Sequence, residues 1–185
     1  MAKIGLNNFK YSLLTEGTDG AASYAGAKSL GKAIDCKVSI ENNSAELYAE
    51  DGLAESDYTF KKGTVSLSID EDDDTIFAEI LGHTISEDGE IERKDTDIAP
   101  FVGLGRILTK LVNGKYKYKV EFLKKVKFAE PSPDEKTKGE SVEFSTTTVE
   151  GTVMKLADGS WSKAKTFNDK AEAIAYLEEL MAKAS

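Results

Sequence analysis

Residues 101–128 read FVGLGRILTKLVNGKYKYKVEFLKKVKF. Two strand-like runs, 101–112 and 115–128, flank Asn113-Gly114. An Asn-Gly pair in that setting is the strongest short-range signal for a β-hairpin, because the tight two-residue turn needs positive φ at both positions. In the second run Tyr116, Tyr118, Val120, Phe122, Val126 and Phe128 share one parity. A regular strand puts them on one face and most of Lys115, Lys117, Lys119, Lys124, Lys125 and Lys127 on the other. Leu123-Lys124 breaks the alternation and predicts a bulge or bend. Lysines interleaved with aromatics also resemble the layout of single-strand nucleic-acid binders, but base stacking needs exposed rings. The parity favours a core strand with a solvated lysine face.

On either side of this hairpin the pattern is mostly β. Ala33, Ile34, Cys36, Val38 and Ile40 include an every-second-residue set interleaved with Asp35, Lys37 and Ser39, as a half-buried strand requires. Asn42-Asn43 reads as a turn, residues 45–49 and 63–69 as strands, and residues 50–62 as a polar connection. Residues 86–100 and 131–139 read as loops, the first with an Asp88-Gly89 turn, the second holding Pro131 and Pro133. Residues 140–144, 146–156 and 160–166 continue the β reading, with a turn at Asp158-Gly159.

Two helices interrupt it. Ile76, Phe77, Ile80 and Leu81 recur at helical spacing before Gly82. This predicts a short helix near 73–81, with the run Asp70-Glu71-Asp72-Asp73-Asp74 at its positive end, where an anion contributes about 0.3–1 kcal/mol. Ala173, Ile174, Tyr176, Leu177, Leu180 and Met181 give a helix near 169–183 with a broad apolar face, and Asp169 followed by Glu172 has capping-box spacing. Residues 1–30, rich in Gly, Ala and Ser without a sustained period, read as an extended N-terminal arm outside the core. Residues 31–185 then form a single mainly β domain of roughly seven to nine strands with two helices.

The composition narrows function mostly by exclusion. A chain of 185 residues, 40% of them hydrophobic, is one domain with a real core. Cys36 is the only cysteine, so no internal disulfide forms and a reducing compartment fits. The opening MAKIGLNNFKYSLL lacks the apolar run of a signal peptide, and no stretch approaches the ~18 apolar residues of a membrane span. Synthesis in the cytoplasm and no membrane partner are expected.

His83 is the only histidine, and no G-x-S-x-G, GxxxxGK or H-E-x-x-H occurs. Gly103-Leu104-Gly105 lacks the third glycine of a dinucleotide loop. An enzyme is not expected, and no cofactor or catalytic residue is assigned. His83, just beyond Gly82, reads as a residue whose positive form complements a helix C-terminus. Asp70, Asp72 and Asp74 have calcium-loop spacing, but Thr75 stands at the sixth position and Leu81 at the twelfth, which excludes an EF-hand. A looser cation site stays open beside the plainer reading of a capped helix start.

Charge is uneven along the chain. Residues 70–97 hold twelve Asp and Glu against Arg93 and Lys94, whereas residues 115–127 hold six Lys against Glu121. The whole chain carries −9, so attraction to DNA or anionic lipid is not the starting expectation. Separated acidic and basic poles let copies pair head to tail, against the alternative of two merely solvated faces.

The text also resembles a known family. KIGLNNFKYSLLTEG, KSLGKAIDCKVSIENNSAELYAEDGLAESD, GTVSLSIDE followed by FAEILGH, and above all DIAPFVGLGRILTKLVNGKYKYKVEFLKKVKFAEPSPDEKTKGESVEFSTTTVEGTV are similar to the major tail proteins of bacteriophages with long non-contractile tails. The terminal FNDKAEAIAYLEELMAKA is of the expected kind, so the resemblance spans nearly the whole chain. It rests on overall text, and no individual functional residue carries over. It implies a β-sandwich or split-barrel tail-tube subunit, whose hexameric rings stack into the conduit for phage DNA. Implied partners are further copies of itself and the tape-measure, tail-tip and tail-terminator proteins, with DNA passing through the lumen unbound and the protein residing in the virion. The N-terminal arm and residues 50–62 or 86–100 are expected to bridge stacked rings. A monomeric β-sandwich binding or adhesion module is the alternative.

Overall fold

The structure, a computed structural model, describes residues 2–18, 20–49, 52–69, 74–131 and 147–182. Their elements are β1 (Ala2–Glu16), β2 (Ala22–Tyr24), β3 (Lys28–Ser29), β4 (Ala33–Ala49), β5 (Gly52–Ile69), α1 (Asp74–Leu81), β6 (Thr84–Ile85), β7 (Ile91–Glu92), β8 (Val102–Val112), β9 (Lys115–Phe128), β10 (Thr147–Met154), β11 (Ser162–Phe167) and α2 (Lys170–Ala182). The protein is mainly β, built on one antiparallel nine-stranded sheet ordered β2-β1-β8-β9-β10-β5-β4, with β11 also pairing β9 and β3 pairing β1. The small β6-β7 hairpin stands apart from it.

The β8-β9 hairpin forms as its sequence demands. Val112 pairs with Lys115, leaving a two-residue turn in which Asn113 and Gly114 take φ of 50° and 74°. Farther along, Val102 pairs with Val126 but Leu104 with Leu123. Lys124 and Lys125 therefore oppose Gly103 alone, a bulge at the place where the alternation breaks.

That extra residue overturns the expected single apolar face of β9. Before the bulge Tyr118, Val120 and Phe122 pack with Ile107, Leu177 and Met181 beneath α2. Beyond it Val126 and Phe128, of the same parity, join Leu104, Leu123, Val65 and Val149 in the other core, on the opposite face of the sheet. The lysine face is likewise not uniformly solvated, since Lys124 is 7% exposed. Its amide donates to the Trp161 carbonyl at 2.9 Å, its carbonyl accepts the Tyr24 hydroxyl at 2.9 Å, and its ammonium bonds Ser160. At the same point the neighbour of β9 changes from β11, paired with Tyr118 to Leu123, to β10, paired with Lys125 to Phe128.

The larger core is enclosed because the sheet turns over on itself. Cys36 and Val38 of β4 pack against the cluster that holds Val102 and Leu104, and α1 covers it with Phe77, Ile80 and Leu81. The smaller core lies under α2, which comes close because β8 presents glycine. A Cβ at Gly105 would overlap Leu177 and lie 2.7 Å from Met181 Cε, and one at Gly103 would lie 2.7 Å from Phe122 Cζ. Asp169 caps α2 as expected, accepting the Ala171 amide at 2.7 Å and the Glu172 amide at 3.2 Å.

Four other expectations need correction. Residues 2–16, expected as an arm outside the core, form β1 between β2 and β8, with Phe9, Tyr11 and Leu14 buried. Its two faces enter different cores, and register shifts between Lys3 and Gly5 and between Asn7 and Lys10 interrupt its period, with Asn8 at φ 51°. No simple alternation survives to be read. The turn expected at Asn42-Asn43 is mid-strand in β4, and the connection expected over residues 50–62 is, from Gly52, part of β5. Among residues 86–100, Ile91–Glu92 is a short strand facing Thr84–Ile85. The strand expected at 140–144 and most of the loop expected at 131–139 lie outside the described residues.

Three variants test this packing. Deleting Lys124 removes the bulge and turns one end of β9 to the wrong face, so cooperative urea unfolding is lost. Lys124→Ala, which keeps the bulge, costs about 1.5–3 kcal/mol for its charge-assisted contacts and unfolds cooperatively. Gly105→Val forces α2 off the sheet and lowers the urea-derived stability by about 1–3 kcal/mol.

Candidate assembly surfaces

The sheet's seven-strand path ends on β2 and on β4. β4 runs 17 residues, and its side away from β5 has no strand partner among the described residues. Ile34 is 57% exposed on it. A long strand edge with unpaired N–H and C=O groups is a template for another strand, and natural monomers blunt such edges. β5 pairs with β10 only over Gly63 to Ile69. Toward the β4-β5 turn, residues 41–49 and 52–62 pair only with each other among the described residues. At ~3.3 Å per residue this ribbon is about 30 Å long, with both edges open.

Between β4 and the β9-β11 pair lies a cavity of about 290 Å³ lined by Val38, Ile40, Arg106, Glu121, Trp161 and Ala164, among others. Arg106 and Glu121 are direct cross-strand partners, and Glu121 Oε2 accepts Arg106 Nε at 3.0 Å and Nη2 at 2.7 Å. The other carboxylate oxygen takes Lys119. Arg106 Nη1 donates to the Cys36 carbonyl at 3.3 Å and approaches Cys36 Sγ at 3.0 Å. One guanidinium thus ties β4 to β8 and β9 across the mouth of the core. Burial works to raise the Glu121 carboxyl, but the hydrogen bonds from Lys119 and Arg106 outweigh it and hold the group below the usual carboxylate range. Burial pushes the Cys36 thiol up despite the nearby guanidinium, the opposite of an activated nucleophile.

His83 is no lone surface histidine. Its side chain is 5% exposed; Nδ1 lies 2.8 Å from Asp97 Oδ2 and Nε2 2.7 Å from Glu130 Oε1. Asp97 also accepts the Lys94 amide at 2.9 Å. The His83 hydrogen bond, then that amide, holds the Asp97 carboxyl below its ordinary range. The imidazole therefore ties Asp97 to the residues just past α1 through Nδ1, while its buried Nε2 makes no hydrogen bond among the described residues, and Gly82 at φ 80° turns the chain out of α1.

The expected cation site at Asp70, Asp72 and Asp74 falls mainly on residues 70–73, outside the described residues, with Asp74 opening α1. Among the described residues no three His, Cys, Asp or Glu side chains form a metal-holding group. Of the aromatics that a stacking platform would expose, Phe122 and Phe128 are buried and Tyr116 is 58% exposed. Lys125 bonds Glu16 and lies 4.2 Å from the Phe101 ring centroid. No helix of the described residues is long and apolar enough to cross a membrane.

Sequence reading passed over the open β4-β5 ribbon and the Arg106-Glu121 tie. The ribbon's signal lay in Leu47, Tyr48, Leu53, Tyr58 and Phe60, strand-forming residues scattered among polar ones. The sequence matches no protein-family model and no curated protein.

Because the folded-state pKa of Glu121 is depressed, its stabilisation is present above the unfolded value near ~4.3 and is lost as pH falls through the folded value. Urea midpoints from pH 7 down to pH ~3 check this. Glu121→Gln is less stable than wild type at neutral pH, and the gap closes in acid.

Proposed function

We propose that this chain is a structural, self-assembling subunit of a phage tail tube, its copies joined edge to edge into rings that stack around the DNA conduit. The observation that carries this reading is the 17-residue β4 with its outer side unpaired and Ile34 exposed. Strand pairing between copies consumes such an edge and supplies main-chain hydrogen bonds without specialised chemistry. The resemblance to major tail proteins supports the same conclusion, and the hexameric ring is the stoichiometry it implies. The β4-β5 ribbon takes over the bridging role first given to the arm and the 50–62 connection: it extends about 30 Å beyond the β10 ladder and reaches a neighbour. β1 is withdrawn from that role, because Phe9 and Tyr11 hold it in the core.

Negative-stain electron microscopy with light scattering over a concentration series tests the reading. Annular particles or tubes of regular bore are expected, and a protein that stays monomeric alone and on isolated tail tips is the binding module instead. Ile34→Lys places a charge on the open edge of β4. It leaves stability within about 0.5 kcal/mol of wild type, as for other exposed positions, and abolishes rings.

A further inference from the structure

Of the basic run seen in the sequence, Lys115 and Lys117 sit at the Asn113-Gly114 turn, far from the acidic 84–98 segment along the hairpin, whereas Lys124, Lys125 and Lys127 lie at the end of β9 near that segment. The segment containing Thr84 to Ile98 leads into the start of β8 and is held at Asp97 by His83 Nδ1. The Asn113-Gly114 turn lies at the other end of the same two strands. At ~3.3 Å per residue the eleven residues of β8 separate the poles by about 35 Å.

Each pole is incomplete by itself. At the turn, Lys110 pairs with Lys117 across the strands, Val112 with Lys115, and Leu111 with Tyr116. By strand alternation the three lysines share one face, while Leu111 and Tyr116 are exposed together on the other. None of the three lysines meets a carboxylate among the described residues. Like charges directly opposite each other across a ladder are destabilising, and a counter-charge from outside relieves that. At the far end Glu87, Asp88, Glu90, Glu92 and Asp95 are exposed beside Ile85 and Ile98, the latter 76% exposed. Lys94 pairs with Glu92 at 3.0 Å, and no lysine or arginine pairs with Glu87, Asp88, Glu90 or Asp95 among the described residues.

We infer that the β8-β9 turn of one copy docks on the 84–98 segment of the next, the lysine face formed by Lys110, Lys115 and Lys117 meeting its carboxylates. The occupant is a second copy of this chain, because one molecule carries both complementary surfaces and their opposite placement prevents them from meeting within it. Such a contact is head to tail, and it propagates along the hairpin axis wherever the rotation between copies does not close a ring. The contacts of Asp97 with His83 Nδ1 and the Lys94 amide hold the end of the acidic segment in place before docking, which reduces the ordering cost of the contact. This inference deepens the self-assembly reading and rests on it for the identity of the partner.

Two charge-reversed chains test it by analytical ultracentrifugation and electron microscopy. The turn variant carries Lys110→Glu, Lys115→Glu and Lys117→Glu; the segment variant carries Glu87→Lys, Asp88→Lys and Glu90→Lys. Each has like charge at both ends, so each alone self-associates at least about tenfold more weakly than wild type while melting cooperatively. Mixed in equal amounts they alternate and recover wild-type association within about threefold, and salt near ~1 M weakens wild type and mixture alike. A mixture no stronger than either variant, or variants that associate as wild type does, overturns the docking. Rings that stack normally in both variants overturn it while leaving the ring reading intact. Charge-dependent linear association without rings keeps the docking and removes the ring reading. A wild type monomeric up to ~1 mM at low salt, alone and on isolated tail tips, overturns both.

Discussion

The bulge at Lys124 and Lys125 is the constraint on which the rest of the architecture depends. A side-chain period of two lets a plain strand serve one core with one parity. One extra residue lets β9 serve two: Val120 and Phe122 under α2, and Val126 and Phe128 inside the folded-over sheet. The same residue marks where β11 gives way to β10 along the edge of β9. The Trp161 carbonyl, the Tyr24 hydroxyl and Ser160 satisfy the amide, carbonyl and ammonium of Lys124, so the irregularity is held in place by named partners. Burial raises the Tyr24 phenol far above its ordinary pKa, which keeps it the neutral donor this contact needs.

Glycine and arginine complete the geometry from opposite faces of β8. Gly103 and Gly105 leave room for Phe122, Leu177 and Met181, so α2 lies directly on the sheet. On the other face Arg106 spans from Glu121 to Cys36 and brings β4 to the mouth of the core. A half-buried ion pair adds little net stability, but its loss leaves an uncompensated charge, which penalises any other placement of β4. The edge strand is thereby held in one position, at the end of the strand path.

Surface charge follows the same frame. Lysines near the Asn113-Gly114 turn and carboxylates near Asp88-Gly89 look like ordinary solvated groups when taken one at a time. Placed at the two ends of β8, they are the two surfaces that the proposed docking joins.

Much of this was legible in the amino-acid order. Asn113-Gly114, the Asp169 cap, the helical spacing of Phe77 and Ile80, and even the place of the bulge follow from local rules, because turns, caps and parity breaks act over a few residues. Local order also determined a mainly β class and the segregation of charge. What only the tertiary structure decided was which face each apolar residue joins, that residues 2–16 belong to the core, and that residues 41–49 and 52–62 pair with each other as a two-stranded ribbon. These depend on pairings across a hundred residues, such as Tyr11 with Leu104, and on bulges that reset parity along β1 and β9. A local period records alternation, but it carries no information about which of two cores lies on either side.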